Sequence, residues 1–501
     1  MLTRHAARGA GLMLAASLTG RVAALGAQVV TGFLLSEEDF GIFAAAIGVM
    51  AIAGMLRGGD AQSYLVTLPP SRRRFRTGTV FWVSMTLYLV GIVPMLAVAP
   101  SLGRHFEDDR IVTLLWILAG TVCLSPFRYV FRARINASLR FGSNAVATLI
   151  NNFATYPLQI VIAVVYRDPV ALALPVLVGS IAEVAYLWSV ARPHRCDFIP
   201  RLRFVRPVLH QLRWLVCVAA MISLWTSGDK TAAEFIVPTA ILGTYYFGYQ
   251  LAIQPGRLFS TTVMNVLIPV VRRVIHDPAR LRGAIRRLIG TGGFAVAGIN
   301  IALLASIGPL ERLVWNERWA EAVTAVQVLS AALVYTSILS IATAPFLAER
   351  RYGESLVING IRAAGVLGGA VVGSILSGTA TGISTWVAIC MSASGFLGIA
   401  WVMNRYGVAW RPIILHLLRC TTPLLVAGTI AAWLGALVMD ELGPGRWSAV
   451  PALLVSGATL TVLGLLATAI LPTDTRREVV GLAMGPVRRV LGRRSQADTD
   501  S

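Results

Sequence analysis

The sequence predicts an all-α polytopic membrane protein of about 14 transmembrane helices. Hydrophobic residues make up 56% and charged residues 14% of the 501 residues, and the mean hydropathy is +0.70. Soluble domains carry roughly 25% charged residues. Each of about fourteen apolar stretches, at roughly 20 residues, is long enough to cross about 30 Å of hydrocarbon. We expect two six-helix lobes related by a pseudo-two-fold axis, followed by two extra C-terminal helices.

The apolar stretches follow one another along the chain with short connections. We expect no cleavable signal peptide, because the first apolar run is too long and no small-residue cleavage site precedes a soluble domain. The predicted spans lie at 11 to 35, 40 to 66, 78 to 100, 111 to 131, 143 to 166, 169 to 190, 212 to 236, 240 to 270, 287 to 309, 320 to 346, 356 to 377, 382 to 403, 413 to 438 and 448 to 471.

The distribution of arginine predicts the orientation of these spans. Arginine supplies 43 of the 44 positive charges. If both termini are cytoplasmic, the inner connections and the tail carry 31 of these charges and the outer connections carry six, as the positive-inside rule requires. We therefore interpret the pI of about 10.8 as topology plus attraction to anionic lipid, and not as nucleic-acid binding. The expected location is a bacterial cytoplasmic (inner) membrane.

The connections also suggest how the chain is divided. The largest inner connection, 191–213, is basic, is interrupted by Pro193, Pro200 and Pro207, and is suited to a linker. The predicted divisions are an N-lobe with spans 1 to 6, a C-lobe with spans 7 to 12, spans 13 and 14, and a cytoplasmic basic tail that lies on anionic lipid. Their bounds are 1–207, 208–404, 405–472 and 473–501.

A weak internal sequence repeat is consistent with two lobes. An apolar residue followed by glycine opens the second span (Phe40-Gly41) and the eighth (Leu242-Gly243). An arginine lies deep in each of the two spans, Arg57 and Arg257. Repeats of this kind, with a site between them, are a common plan of transporters. Ser36 followed by Asp39 predicts a capping box at the start of the second span.

Seven cations lie inside the predicted spans. A cation at the centre of a span costs on the order of 3 kcal/mol even on the lenient insertion scale. Several of them together predict a polar cavity or buried partners, although those near a cytoplasmic end, such as Arg128 and Arg419, are expected to reach the surface. The seven are Arg21, Arg57, Arg128, Lys230, Arg257, Arg362 and Arg419.

A series of apolar motifs punctuated by glycine and proline runs along the chain. Its residues are Arg21, Leu34 to Gly41, Asp229-Lys230, Leu242-Gly243-Thr244-Tyr245, Tyr249-Gln250-Leu251-Ala252, Pro255, Trp319-Ala320, Val326 to Leu329, and Gly353. In this order and at this spacing, the motifs resemble those of the polysaccharide transporter family of the multidrug, oligosaccharidyl-lipid and polysaccharide exporter superfamily, the Wzx-like flippases of lipid-linked oligosaccharides. The likeness covers most of the first twelve spans. Where many relatives carry Asp-Leu-Gly after the arginine of the second span, this chain has Gly58-Gly59-Asp60, so the carboxylate is displaced along the helix.

The resemblance implies a substrate, an oligosaccharide on a polyprenyl diphosphate. Such a molecule requires buried cations for the diphosphate, polar groups for the sugars and a lateral path for the tail. Arginine suits the diphosphate because its planar fork donates two hydrogen bonds at once. Arg21, Arg57 and Arg257 are the first candidates. Pro255, just before Arg257, predicts a kink that either serves alternating access or only packs.

Polar stripes mark the same spans. Arg21 and Gln28 share a face of the first span, and Tyr246, Gln250 and Arg257 share a face of the eighth. In the fifth, Asn151 and Gln159 belong to a stripe with Asn144, Thr148 and Thr155. These side chains either face sugars or hydrogen-bond between packed helices.

The buried acids are candidates for ion pairing or ion coupling. Asp60 lies three residues after Arg57 and is placed to pair with it. Lys230 is four residues from Glu234 and is placed to pair with it, while Asp229, adjacent in sequence, is expected to point elsewhere. For Asp229 and Lys230 we favour an interhelical ion pair over a role in substrate or proton binding. Asp60 is the candidate for coupling to protons or sodium. No partner for Glu183 or Arg362 can be identified from the sequence.

Other chemistry has little support in the sequence. The five cysteines and six histidines show no metal spacing, and there is no P-loop motif. We therefore expect no enzyme activity, no catalytic residues, no metal and no cofactor. The short outer connections also disfavour a membrane glycosyltransferase.

The leading hypothesis is a flippase for exopolysaccharide, capsule or O-antigen synthesis that works by alternating access. Its expected partners are the polyprenyl-diphosphate-linked glycan, anionic membrane lipid, and a polysaccharide polymerase with its assembly proteins. The alternatives are a peptidoglycan-precursor (lipid II) flippase and a cation-coupled small-molecule exporter of the same superfamily. The exporter is disfavoured because its site should be acidic, whereas the deep residues here lean cationic.

Overall fold

The computed structural model describes residues 2–56, 61–138, 140–194, 197–274, 278–343, 346, 349, 351–443, 445–473, 475–477 and 479. Helices dominate these residues, and no strand occurs among them. In chain order they are α1 (Leu2–Leu34), α2 (Glu37–Ala53), α3 (Ala61–Thr67), α4 (Pro70–His105), α5 (Arg110–Cys123), α6 (Ser125–Ala137), α7 (Phe141–Tyr166), α8 (Val170–Ala191), α9 (Val205–Ala233), α10 (Thr239–Val274), α11 (Pro278–Trp315), α12 (Ala320–Ala342), α13 (Tyr352–Leu376), α14 (Ala380–Arg405), α15 (Trp410–Glu441) and α16 (Ala449–Ile470).

The predicted fold class is confirmed. Thirteen helical segments of the described residues are long and apolar enough to cross a membrane. The eighth predicted span, 240 to 270, corresponds to α10, although the side chains of residues 257–279 lie outside the described set. The second predicted span is not continuous over 40 to 66. Instead α2 ends at Ala53, and a 3₁₀ turn, Gly54–Leu56, precedes the undescribed residues 57–60.

The chain forms two compact units. Unit 1 contains residues 1–254 and 350–391, and unit 2 contains residues 255–349 and 392–501. The boundary on α10 falls between Gln254 and Pro255. This is the proline at which the sequence predicts a kink. The proposed division into lobes at 207 and 404, the two extra spans and the basic tail stay predictions.

An aromatic cluster forms part of the core of unit 1 and fixes the connection before α9. Phe198, in the segment expected to serve as a linker, stacks on Trp188 with ring centroids 5.7 Å apart and lies 5.3 Å from Phe81. The indole of Trp82 donates a 2.8 Å hydrogen bond to the carbonyl of Phe198. The linker expectation is therefore wrong for this stretch, because its apolar residues dock on α4 and α8.

The start of α2 is held in place by polar contacts. Asp39 accepts a 2.9 Å bond from the amide of Ser36, and the Ser36 hydroxyl accepts a 3.1 Å bond from the amide of Asp39. These bonds confirm the predicted capping box. Arg110, at the start of α5, bridges Asp39 at 2.8 Å and Asp108 at 2.7 Å. Burial opposes the ionisation of Asp108, but hydrogen bonds from Arg110 outweigh it and lower the pKa of that carboxyl.

Gly41 and Gly243, the two glycines of the weak internal repeat, lie close to each other where α2 and α10 begin. A Cβ added at Gly41 would lie 1.9 Å from the carbonyl oxygen of Thr239, and one added at Gly243 would lie 1.8 Å from the carbonyl oxygen of Glu37. Neither contact leaves room for a side chain. Small residues permit this close backbone approach between membrane helices, so the glycines are required by packing.

Unit 2 is built around α11, which packs along α12, α15 and α16. Trp319, one of the residues that carry the family resemblance, is 1% exposed, and its amide donates a 2.8 Å hydrogen bond to the carboxylate of Glu311. Tyr335 of α12 packs against Phe396 of α14 with centroids 4.7 Å apart.

Gly243→Ala should destabilise the purified protein by about 1–3 kcal/mol, because the new methyl group forces two backbones apart. Thermal unfolding in detergent, followed by size-exclusion chromatography, measures the change. Gly26→Ala is the matched control within unit 1, since no atom lies within 4 Å of a Cβ built there. Equal melting temperatures for the two variants would contradict the close approach.

Candidate functional site

The polar residues predicted on the first and eighth spans come together in unit 1. A guanidinium N–H of Arg21 donates to the Gln254 side-chain oxygen at 3.3 Å, and Gln28 donates to the carbonyl of Phe247 at 3.4 Å. On α10, the amide of Gln250 donates to the hydroxyl of Tyr246 at 2.7 Å. Two of the eight predicted binding residues, Arg21 and Gln28, therefore bond across from α1 to α10, while Tyr246 and Gln250 bond to each other within α10.

Aromatic side chains support this contact from α2. Phe40 meets the edge of Phe247 at 5.3 Å between centroids, and Phe43 meets Tyr246 at 5.8 Å. Tyr246 is 4% exposed and Gln254 is 8% exposed. The packed rings thus position the polar groups of α10, whose hydrogen bonds to α1 are partly buried.

The acids and the lysine of α9 pair differently from the expectation. Lys230 Nζ bonds both carboxylate oxygens of the adjacent Asp229, at 2.8 and 2.9 Å, and lies 3.7 Å above the Tyr249 ring. The Tyr245 hydroxyl donates to Asp229 at 2.5 Å. Asp229 therefore does not point elsewhere, and the ion pair lies within α9 while the tyrosines of α10 complete its coordination. Tight burial favours this arrangement, since both charged residues are at most 2% exposed.

Glu234 is not the partner of Lys230. It is 4% exposed, and neither of its carboxylate oxygens has a hydrogen-bond partner among the described residues. The carboxylate lies against α2, where a Cβ added at Gly48 would be 2.3 Å from one of its oxygens. Lys230 and Glu234 are four residues apart but do not pair, because Asp229, directly beside Lys230, accepts two hydrogen bonds from Lys230 Nζ.

The fifth span contributes Asn151 to a second charged cluster. Asn151 of α7 donates to Glu183 of α8 at 3.2 Å, and Arg132 of α6 forms a 2.8 Å ion pair with the same carboxylate. A guanidinium nitrogen of Arg128 lies 3.6 Å from it. Glu183, for which the sequence identified no partner, is 3% exposed and lies between two arginines. Arg128 therefore does not simply extend to the surface.

The remaining predicted residues are less informative. Gln159 is half-buried on α7. Arg57 and Asp60 lie outside the described residues, and the backbone of Arg257 belongs to α10 while its side chain lies outside that set. Among the described residues, no group of three or more His, Cys, Asp or Glu is placed to hold a metal ion.

The structure also identifies a residue whose role the sequence left open, Arg362 of α13. It is 7% exposed, and its guanidinium lies over the Trp225 ring of α9, 3.6 Å from the centroid. An arginine in the middle of an apolar span was the only signal in the sequence. Its aromatic partner is 137 positions away, so no local pattern could indicate it.

Unit 2 carries an apolar groove on its last two spans. A cavity of about 910 Å³ lies between α15 and α16. Its walls include Leu418, Val426, Leu463 and Leu466, and Arg419 is the charged residue of the lining. The groove therefore combines hydrocarbon-like walls with one cation.

Comparison with known proteins relates this chain to polysaccharide biosynthesis proteins. Residues 33–324 match the model of a family described as polysaccharide biosynthesis protein. The chain is 22% identical over 355 residues to the lipopolysaccharide biosynthesis protein WzxC of Escherichia coli (strain K12), covering 70% of this chain and 72% of that protein. It is 23% identical over 423 residues to the succinoglycan biosynthesis transport protein ExoT of Rhizobium meliloti (strain 1021), covering 82% of this chain and 81% of that protein.

A solved structure is similar in fold. The lipid II flippase MurJ, in an inward closed conformation, superposes with a TM-score of 0.71 at 12% identity, covering 91% of this chain and 98% of the other. At this identity the likeness concerns the fold alone.

Lys230→Met should destabilise the protein by about 3–5 kcal/mol, because it leaves Asp229 as a buried charge with one neutral donor. The double variant Asp229→Asn with Lys230→Met should cost less than Lys230→Met alone, since it buries no charge. Thermal unfolding of the two single variants and the double variant forms the cycle. Strictly additive losses would contradict a direct ion pair.

Proposed function

The chain belongs to the polysaccharide biosynthesis protein family, and we propose that it is a flippase that moves a polyprenyl-diphosphate-linked oligosaccharide across the cytoplasmic membrane by alternating access. The protein is a multi-pass membrane protein, and the proposed location is the inner membrane of a bacterium with both termini in the cytoplasm. The names of its relatives place them in lipopolysaccharide and succinoglycan biosynthesis. This supports a glycan substrate in exopolysaccharide, capsule or O-antigen assembly.

Two groups of cations in unit 1 carry the proposal. Arg128 and Arg132, both half-buried, share the single carboxylate of Glu183. Arg362 is buried and has no carboxylate partner among the described residues, whereas Lys230 is neutralised by Asp229. A substrate bearing a diphosphate compensates such cations. A site for cationic drugs requires unpaired acids, and Glu234, which lies against α2, is the acid that would serve it.

The contact of α1 with α10 is the proposed place for the sugars and the diphosphate. Arg21, Gln28, Tyr246 and Gln250 offer a cation, two amides and a hydroxyl on adjoining faces. Arg57 and Arg257 are proposed to complete the cationic set. The ion pair of Asp229 with Lys230 is proposed to hold α9 to α10 while α10 flexes near Pro255.

A polyprenyl chain needs an apolar surface within the hydrocarbon region. Unit 2 offers one by itself, the groove between α15 and α16, whose walls are aliphatic and whose lining includes Arg419, and this groove is proposed to bind such a chain. No covalent step is required of the protein, because translocation only moves the intact lipid. A polysaccharide polymerase and its assembly proteins are the proposed partners that receive it.

Arg57→Ala and Arg257→Ala should each lower polymer export about 10- to 100-fold, because each removes charge-assisted hydrogen bonds to the diphosphate. Secreted polysaccharide is assayed in the producing strain, and immunoblots of membranes verify that each variant is present. Arg104→Ala, at an exposed position on α4, is the control. Normal export in both variants would overturn the assignment of those two arginines.

The substrate class is tested with the purified protein in vesicles. Translocation of a fluorescent polyprenyl-diphosphate sugar, without transport of an organic cation such as ethidium, supports the flippase. Ethidium transport without lipid translocation would favour the exporter. Selective movement of lipid II would favour a peptidoglycan-precursor flippase.

Leu466→Trp should slow translocation of a long-chain polyprenyl substrate, because the indole fills the groove of α15 and α16. A short farnesyl analogue should be affected less, since its tail occupies less of the groove. Leu454→Trp, on α16 at a 70% exposed position outside the groove lining, is the matched control. Equal rates for both variants would contradict the placement of the tail.

A further inference from the structure

Arg362 is a cation at a position where burying a charge is unfavourable in free energy. It lies near the middle of α13, a 25-residue helix that qualifies as a membrane span, and is 7% exposed. Arginine at the centre of a span costs on the order of 3 kcal/mol or more. A glutamine or methionine would fill similar space beside Trp225 without desolvating a charge. The charge at this position therefore calls for an explanation beyond packing.

The contact with Trp225 is a cation–π contact, which uses none of the N–H donors of the guanidinium. The carbon of the guanidinium lies 3.6 Å from the ring centroid. A planar guanidinium carries five N–H donors in its own plane, so stacking does not consume them. Among the described residues, no carboxylate and no hydrogen-bond acceptor is recorded for Arg362.

The surroundings add a second donor that has no acceptor. Trp225 Nε1 is buried and has no hydrogen-bond partner among the described residues. The neighbouring charges do not neutralise Arg362, because Asp229 already pairs with Lys230 at 2.8 Å and accepts from Tyr245. Among the described residues, the pair of Asp229 with Lys230 is neutral by itself and supplies no counter-charge to Arg362.

A buried, preoriented set of donors with a net positive charge is complementary to an oxyanion. We propose that Arg362, supported on Trp225, binds a phosphoryl group of the transported diphosphate. The identity of the anion as a lipid diphosphate rests on the proposed function, whereas the preference for an oxyanion rests on the geometry alone. Trp225 acts as a positioning residue, because its ring holds the guanidinium in one plane.

The test uses the full chain in nanodiscs, with farnesyl diphosphate and inorganic diphosphate as probes. Binding is measured by thermophoresis at one fixed salt concentration. Arg362→Gln should weaken binding of both probes about 10- to 100-fold. Arg362→Lys keeps the charge but loses the planar fork, so its affinity should fall between that of the wild type and that of the glutamine variant. Arg104→Gln is the surface control and should bind like the wild type.

Trp225 provides an independent readout. Trp225→Phe retains a ring beneath the guanidinium and removes the N–H, so we expect a loss of only a few fold. Trp225→Ala should lose most of the affinity. Size-exclusion profiles and melting temperatures show which variants are folded. If Arg362→Gln or Trp225→Ala does not fold, the affinities of Arg362→Lys and Trp225→Phe test the proposed site instead.

The outcomes separate this site from the proposed function. Binding of both probes that depends on Arg362 supports the inference. Equal affinity of wild type and Arg362→Gln for farnesyl diphosphate would overturn it and leave the flippase proposal standing. Arg362-dependent binding of inorganic diphosphate, together with no translocation of the lipid-linked sugar, would support the oxyanion site and overturn the flippase. Absence of binding by the wild type would overturn the inference.

Discussion

A charge inside a hydrocarbon layer is costly unless polar groups surround it, and two carboxylates of unit 1 gather such groups from several helices. Asp229 accepts from Lys230 on its own helix and from Tyr245 on α10. Glu183 of α8 gathers Arg132 from α6 and Asn151 from α7. Each acid thus ties together helices that apolar packing alone would hold without a fixed register.

The polar contacts require that backbones approach closely, and glycine supplies that approach. Gly41 and Gly243 allow α2 and α10 to start against each other. Next to this contact, Phe40 packs against Phe247 and Phe43 packs against Tyr246. The polar face of α10 then meets Arg21 and Gln28 of α1. A larger residue at either glycine would shift the proposed binding residues along with the helices.

Local sequence rules predicted what depends on neighbours in the chain. The capping box of Ser36 and Asp39 was confirmed, and so was the all-helical, many-span fold class. The same rules were wrong where one residue had two candidate partners nearby in the chain. Lys230 has acids one and four residues away, and helix periodicity favours Glu234. Asp229 is the actual partner, and the Tyr245 hydroxyl of α10 holds it in position. Phe198 likewise docks on Trp188 although its segment is basic and rich in proline.

The sequence by itself determined that the protein crosses the membrane many times, that seven cations lie within its predicted spans, and that it resembles the polysaccharide transporters. These properties follow from composition, span length and motif spacing, which can be read along the chain. Only the tertiary structure decided the surroundings of these cations. Lys230 pairs with Asp229, Arg132 pairs with Glu183, and Arg362 lies over Trp225 with no carboxylate partner among the described residues. The physical reason is that a helical pattern shows which side chains share a face, while their partners belong to helices that are brought together only by folding.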